Sequence, residues 1–155
     1  MKGSKAIISQ LNLVLTRQLT MINQHFLHAR ILKDWGYEKP ASEVYKYSIS
    51  EMKMAQNLID RILLIKGLPN LQRLGRLTIG EKAEEQLELE RKAKEVSIEQ
   101  LKETIELCLK EDDHATRVLV EEFLAKEEDM LDWFETQVSL IKDVGLEQYL
   151  AESMG

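Results

Sequence analysis

The chain has 155 residues, 44% apolar and 31% charged, with 7 Gly, 2 Pro, one Cys and a formal net charge of −6. That length suits one domain over residues 1–155, and so little Gly and Pro excludes a fold of many short strands in favour of long helices. The acidic balance excludes a nucleic-acid surface, which needs clustered Lys and Arg, and a lone Cys108 excludes an internal disulfide.

The chain opens Met1-Lys2-Gly3-Ser4-Lys5 and passes straight into an amphipathic pattern, without the apolar run of a signal peptide. No stretch reaches the roughly 18 apolar residues of a membrane span. With a single thiol, this reads as a soluble, cytoplasmic protein.

Apolar periodicity predicts a first helix over about Ser4–Asp34, ending at Trp35-Gly36. A second is expected over about Ser42–Lys66, after Pro40, with Ser42 as N-cap and Gly67-Leu68-Pro69 as stop. Leu68–Gly80 is a long connection rich in leucine, which suits an overhand crossover lying across a surface that it covers. The third and fourth helices are expected over about Glu81–Lys110 and Asp113–Asp143. Gly145 then breaks the chain before a short terminal helix, Leu146–Ser153. The fold class is all-α: a four-helix bundle over about 4–143 with a long crossover and a short fifth helix.

Each long helix has one core-facing stripe, and each stripe carries polar interruptions. The ones that stand out are Gln18, Glu51, Lys94 and Glu127. Buried charges need partners, so these four are expected to face one another. Two of them begin the pattern Glu-x-x-Met, as Glu51…Met54 and Glu127…Met130. Di-iron bundles use Glu-x-x-His at such positions, with a lone Glu on each of two further helices.

The first two helices carry a second apolar stripe: Leu15, Leu19, Ile22 and Phe26 on one, and Tyr45, Ile49, Met52, Ile59 and Leu63 on the other. A helix in an isolated bundle needs one buried stripe, so the second predicts an outward interface. Met52 lies about 100° round the helix from Glu51 and belongs to that interface.

Ile22-Asn23-Gln24-His25-Phe26-Leu27-His28-Ala29-Arg30, Asp34-Trp35-Gly36, Ser50-Glu51-Met52-Lys53 and Gly67-Leu68-Pro69-Asn70-Leu71-Gln72 make the whole chain resemble bacterioferritin, the haem-containing branch of the ferritins. The resemblance implies a ferritin-like bundle and a shell of 24 subunits that stores iron as ferric mineral. It also implies a haem b at each two-fold subunit interface, held by one methionine from each side. Met52 matches that methionine, with Leu19, Ile22, Phe26 and Tyr45 as the haem pocket. A small ferredoxin is the implied electron donor.

The family's ferroxidase centre does not carry over. Glu51 and Glu127 match its ligands, but Met54 and Met130 stand at the two histidine positions, and Gln18 and Lys94 at the two lone-Glu positions. Thioethers and an ammonium are poor iron donors. The expectation is that the Lys94 ammonium takes the metal's place between Glu51 and Glu127; the alternative is that Lys94 snorkels to solvent. His25 and His28, one turn apart, read as buried, satisfied histidines, His114 as a surface residue and Cys108 as inert core. The functional expectation is a haem-carrying iron-storage subunit without a working ferroxidase site, co-assembling with a ferroxidase-competent subunit. Alternatives are a ferroxidase using a reduced site of Glu51, Glu127 and His25, with or without His28, and a purely structural shell subunit.

Overall fold

A computed structural model describes all 155 residues as five helices without a strand. They are α1 (Lys5–Asp34), α2 (Glu38–Leu64), α3 (Ala83–Lys110), α4 (His114–Val144) and α5 (Leu146–Ser153). α1 packs along α2 and α3 along α4, and the long connection between α2 and α3 joins the two hairpins. This is the four-helix bundle with a short fifth helix, as the periodicity predicts. No helix is long and apolar enough to cross a membrane.

Local chemistry explains most of the boundaries. Ser4 caps α1, its hydroxyl accepting from the Ile7 amide at 3.1 Å. Gly36 at φ 90° turns the chain out of α1. Asp113 caps α4 by accepting from the Thr116 amide, and Arg61 of α2 braces that cap from the side. Gly145, again at φ 90°, separates α4 from α5.

α2 begins four residues before the expected Ser42, which lies inside the helix instead of capping it. The reason is Pro40: in a first turn its missing N–H is one of the groups without an intrahelical partner anyway, so it starts the helix rather than preceding it. α3 starts two residues later than expected, at Ala83.

Two apolar clusters fill the bundle. One contains Leu11, Leu15, Leu58, Ile62, Val120 and Phe123; the other contains Leu32, Val44, Leu87 and Phe134. Along α1, α2 and α3 the buried charged residues and histidines fall between the two, so the bundle has a polar waist. Leu15 is wholly buried in the first cluster and does not belong to the outward stripe.

The crossover is held differently from the expectation. Its leucines do not tuck into the bundle: Leu68 is 81% and Leu74 56% exposed in the single chain. Hydrogen bonds to α1 seat it instead. Asn12 donates to the Leu68 carbonyl and accepts from the Asn70 amide, Thr20 accepts from Gly75, Gln24 from Thr78 and His28 from Gly80. A polar seam along α1 thus fixes the path of a loop whose apolar side chains face outward.

Candidate functional site

The polar waist is built around Lys94. Its Nζ donates to Glu51 Oε1 at 2.6 Å and to Glu127 Oε2 at 2.7 Å, so one ammonium on α3 joins carboxylates from α2 and α4. Lys94 and Glu51 are 0% exposed and Glu127 is 3% exposed, so Lys94 does not snorkel. Stripping water from the ammonium opposes its charge, yet Glu127 and Glu51 outweigh that burial and raise the Lys94 pKa. Burial works against the Glu51 carboxylate as well, but Lys94 holds its pKa below the ordinary range. Glu127 moves the other way: burial and the neighbouring Glu51 charge push its pKa up.

A second group adjoins the first. Glu90, one turn before Lys94 on α3, is 1% exposed and meets both histidines of α1. His28 Nδ1 lies 2.6 Å from Glu90 Oε1, while His28 Nε2 accepts from the Gly80 amide at 3.0 Å. Acceptance at Nε2 fixes the tautomer: the ring proton is on Nδ1 and is given to Glu90. His25 Nδ1 is in close contact with Glu90 Oε2, at an angle that is not that of a hydrogen bond, and its Nε2 faces Glu51 Oε1 at 3.8 Å. Burial disfavours a charged His25, but Glu90 and Glu51 outweigh it and raise its pKa. Glu90 is in turn lowered to about 2, against its burial, chiefly by His25 and then His28.

The waist is therefore one connected set: His28, Glu90, His25, Glu51, Lys94 and Glu127. Each buried charge has an opposite charge beside it, as desolvation demands. Sequence reasoning missed Glu90. It is hidden among Glu84, Glu85, Glu88 and Glu95 in a glutamate-rich helix. Its spacing, three residues after Leu87 and four before Lys94, was the available signal.

Gln18 is buried with its Oε1 unpartnered, and it makes no bond to Glu51 or Glu127. Met54 and Met130 are buried in the first apolar cluster. No group of three or more His, Cys, Asp and Glu side chains is arranged to hold a metal ion. Cys108 is buried, and burial pushes its thiol up to about 11, so it is not a ready nucleophile. His114 is a surface residue, with its side chain 66% exposed.

Met52 lies elsewhere, on the outer face of α2, and is 51% exposed in the single chain. Phe26 and Tyr45 are also exposed there, their ring centroids 6.3 Å apart, and Leu19 and Ile22 are partly buried against the first apolar cluster. The face thus offers one soft thioether among apolar and aromatic side chains. That donor chemistry fits haem iron, which accepts methionine sulfur as an axial ligand.

Comparison with known proteins bears on the whole chain. A family profile described as "Ferritin-like domain" matches residues 8–144. A bacterioferritin of Mycobacterium avium is 40% identical over 152 residues, covering 98% of this chain and 96% of that protein. One from Brucella melitensis is 40% identical over 149 residues, covering 96% and 92%. One from Streptomyces coelicolor is 38% identical over 151 residues, covering 97% and 90%. With the bundle, the crossover and end-to-end similarity at this level, the chain belongs to the bacterioferritin family.

Proposed function

We propose that this chain is a haem-binding, iron-storing subunit, one domain of 155 residues, with no working di-iron ferroxidase site of its own. The observation that carries the proposal is the Lys94 ammonium hydrogen-bonded to both Glu51 and Glu127. In a di-iron bundle two Glu-x-x-His pairs and two lone glutamates turn inward to the metals. Here a fixed positive charge engages the two remaining carboxylates, and iron would have to displace it. Gln18, Met54 and Met130 offer an amide and two thioethers, which are weak donors to ferrous or ferric iron.

Storage would then depend on assembly. In a shell of 24 subunits, a ferroxidase-competent subunit would oxidise incoming ferrous iron, and this chain would contribute wall and haem. Two copies facing each other across a two-fold axis would each present Met52, with Leu19, Ile22, Phe26 and Tyr45 excluding water around the thioethers. Haem bound there supplies one-electron transfer, as reductive release of stored ferric iron requires. A small ferredoxin is the donor class this reading implies.

The test is aerobic addition of two ferrous ions per subunit to the purified chain, with oxidation followed by stopped-flow absorbance. Oxidation no faster than in buffer is the expected result. A fast, stoichiometric burst would refute the proposal and favour a site rebuilt around Glu51, Glu127 and His25.

A further inference from the structure

Between α1, the crossover and α3 lies a cavity of about 290 Å³ whose charged residues are all cations: Arg17, Arg76 and Lys92. No carboxylate lines it, in a chain with 27 acidic residues against 21 basic ones. Three cations converging without an acid is therefore not a sample of the average surface.

The cations are also free to act. Arg17 is held from one side only: its Nε donates to Ser97 Oγ at 2.7 Å and one terminal nitrogen to the Ala93 carbonyl at 2.5 Å. The other terminal nitrogen makes no hydrogen bond within the chain. Two anchors on α3 thus fix the guanidinium plane before any ligand arrives, which lowers the ordering cost of binding. Arg76 and Lys92 are exposed and take part in no ion pair. Glu88 and Glu95, one turn before and after Lys92 on α3, are both paired with Arg91, although Lys92 also acts on the Glu88 charge.

An independent feature points to a ligand. Gln24, 2% exposed, lines the same cavity, with its Oε1 accepting from the Thr78 amide and its Nε2 donating to nothing. An unmade buried donor costs about 1–3 kcal/mol, and an acceptor in the cavity would relieve it once the Gln24 amide turns towards it. Thr78 adds a hydroxyl at the rim, while Met21, Leu89 and Val96 form an apolar wall. Burial is the main influence on Arg17 and lowers its pKa, against the carboxylates of Glu127, Glu51 and Glu90, which act from the waist to raise it.

The geometry points to a binding site for a phosphate-class oxyanion, gripped by Arg17, Arg76 and Lys92, with the crossover as one of its walls. Guanidinium groups match the oxygen spacing of tetrahedral anions, and an ammonium adds a point charge. The volume is close to the lower bound of ordinary small-molecule sites, about 300 Å³. It admits either free phosphate or the head of a small phosphate monoester whose organic part rests on the apolar wall. The cavity shares no lining residue with the ionic set of the waist or with the Met52 face, although the waist carboxylates Glu127, Glu51 and Glu90 act on the Arg17 charge from behind.

Calorimetric titration of the intact purified protein tests this, at fixed ionic strength set with chloride. Inorganic phosphate and glycerol phosphate are the two titrants, and acetate is the carboxylate control. Saturable binding of one ion per chain is expected, weakened at least tenfold by Arg76→Gln and by Lys92→Gln and unchanged by Lys142→Gln. Both cavity variants replace exposed side chains without ion pairs, and circular dichroism checks that they fold. Equal affinity for the two phosphates would assign the site to the oxyanion alone; tighter glycerol phosphate binding would assign it to monoesters. Absence of saturable binding, acetate binding as tight as phosphate, or affinity untouched by both cavity substitutions would overturn the inference.

Discussion

Lys94 Nζ stands 2.6 Å from Glu51 Oε1 with neither side chain touching water. Removing one member of such a group leaves an uncompensated charge in the core, which costs about 3–5 kcal/mol. Lys94→Ala is expected to lose stability of that order, read from the denaturant midpoint. The triple replacement Glu51→Gln, Lys94→Met, Glu127→Gln removes the charges together and should recover most of the loss. A Lys94→Ala protein as stable as the parent would mean that the pairing contributes nothing.

The acid limb of stability reports on Glu90. Its carboxyl falls from an ordinary 4.5 to about 2 in the folded chain. The stability this contributes is present above pH 4.5 and is lost as pH falls towards 2. Glu127, pushed up, has the opposite sign: its contribution is present at low pH and is lost as pH rises through its folded value. Glu90→Gln should therefore lower stability at pH 7, because His25 loses its counter-charge, yet make the decline between pH 4.5 and 2 shallower. Equilibrium unfolding across that range checks both limbs.

Met52 lies on the surface of the single chain, so its replacement should leave folding intact. Met52→Leu is expected to abolish the haem absorption bands of the reconstituted protein while changing the melting temperature of the haem-free protein by under about 2 °C, the scale of a surface substitution of some 0.5 kcal/mol. Undiminished haem bands in the variant would show that the haem ligand lies elsewhere.

Asn12 is a hinge pin for the start of the crossover, bonding both the Leu68 carbonyl and the Asn70 amide. Asn12→Ala should speed proteolytic cleavage near residues 68–75 and leave global unfolding nearly unchanged, since the loop buries little apolar surface. Limited proteolysis followed by mass spectrometry distinguishes this local loosening from a general loss of stability.

The helices were legible because period 3.6 patterning runs through four long segments and the stops at Gly36, Gly67 and Gly145 are strong. The start of α2 was not, because a proline signals a boundary from sequence alone and only its place in the first turn shows which side of the boundary it occupies. Leu15 reads from sequence as part of the outer stripe because a helix position between two faces has no unique side until its neighbours are placed. At the waist, Glu51, Glu127 and Lys94 were visible as charges on apolar stripes. Glu90 was not, because surrounding glutamates gave it no contrast, and its burial follows from two histidines on α1 that approach only in the folded bundle. The crossover leucines signalled burial, but the polar seam with α1 needs the loop path and cannot be read from composition.

The bonds of the waist also set an order of events in folding. Lys94 is 43 residues from Glu51 and 33 from Glu127, and Glu90 is 62 from His28. None of these pairs can close within a single helix, and those with Glu51 and His28 join one hairpin to the other. Until the hairpins dock, every one of these side chains can stay hydrated, so early association must be led by the apolar clusters and the ionic set must close late. Substitutions at the waist should consequently accelerate unfolding far more than they slow folding. The polar core then acts as a latch on the finished bundle, contributing to its lifetime more than to the speed of its formation.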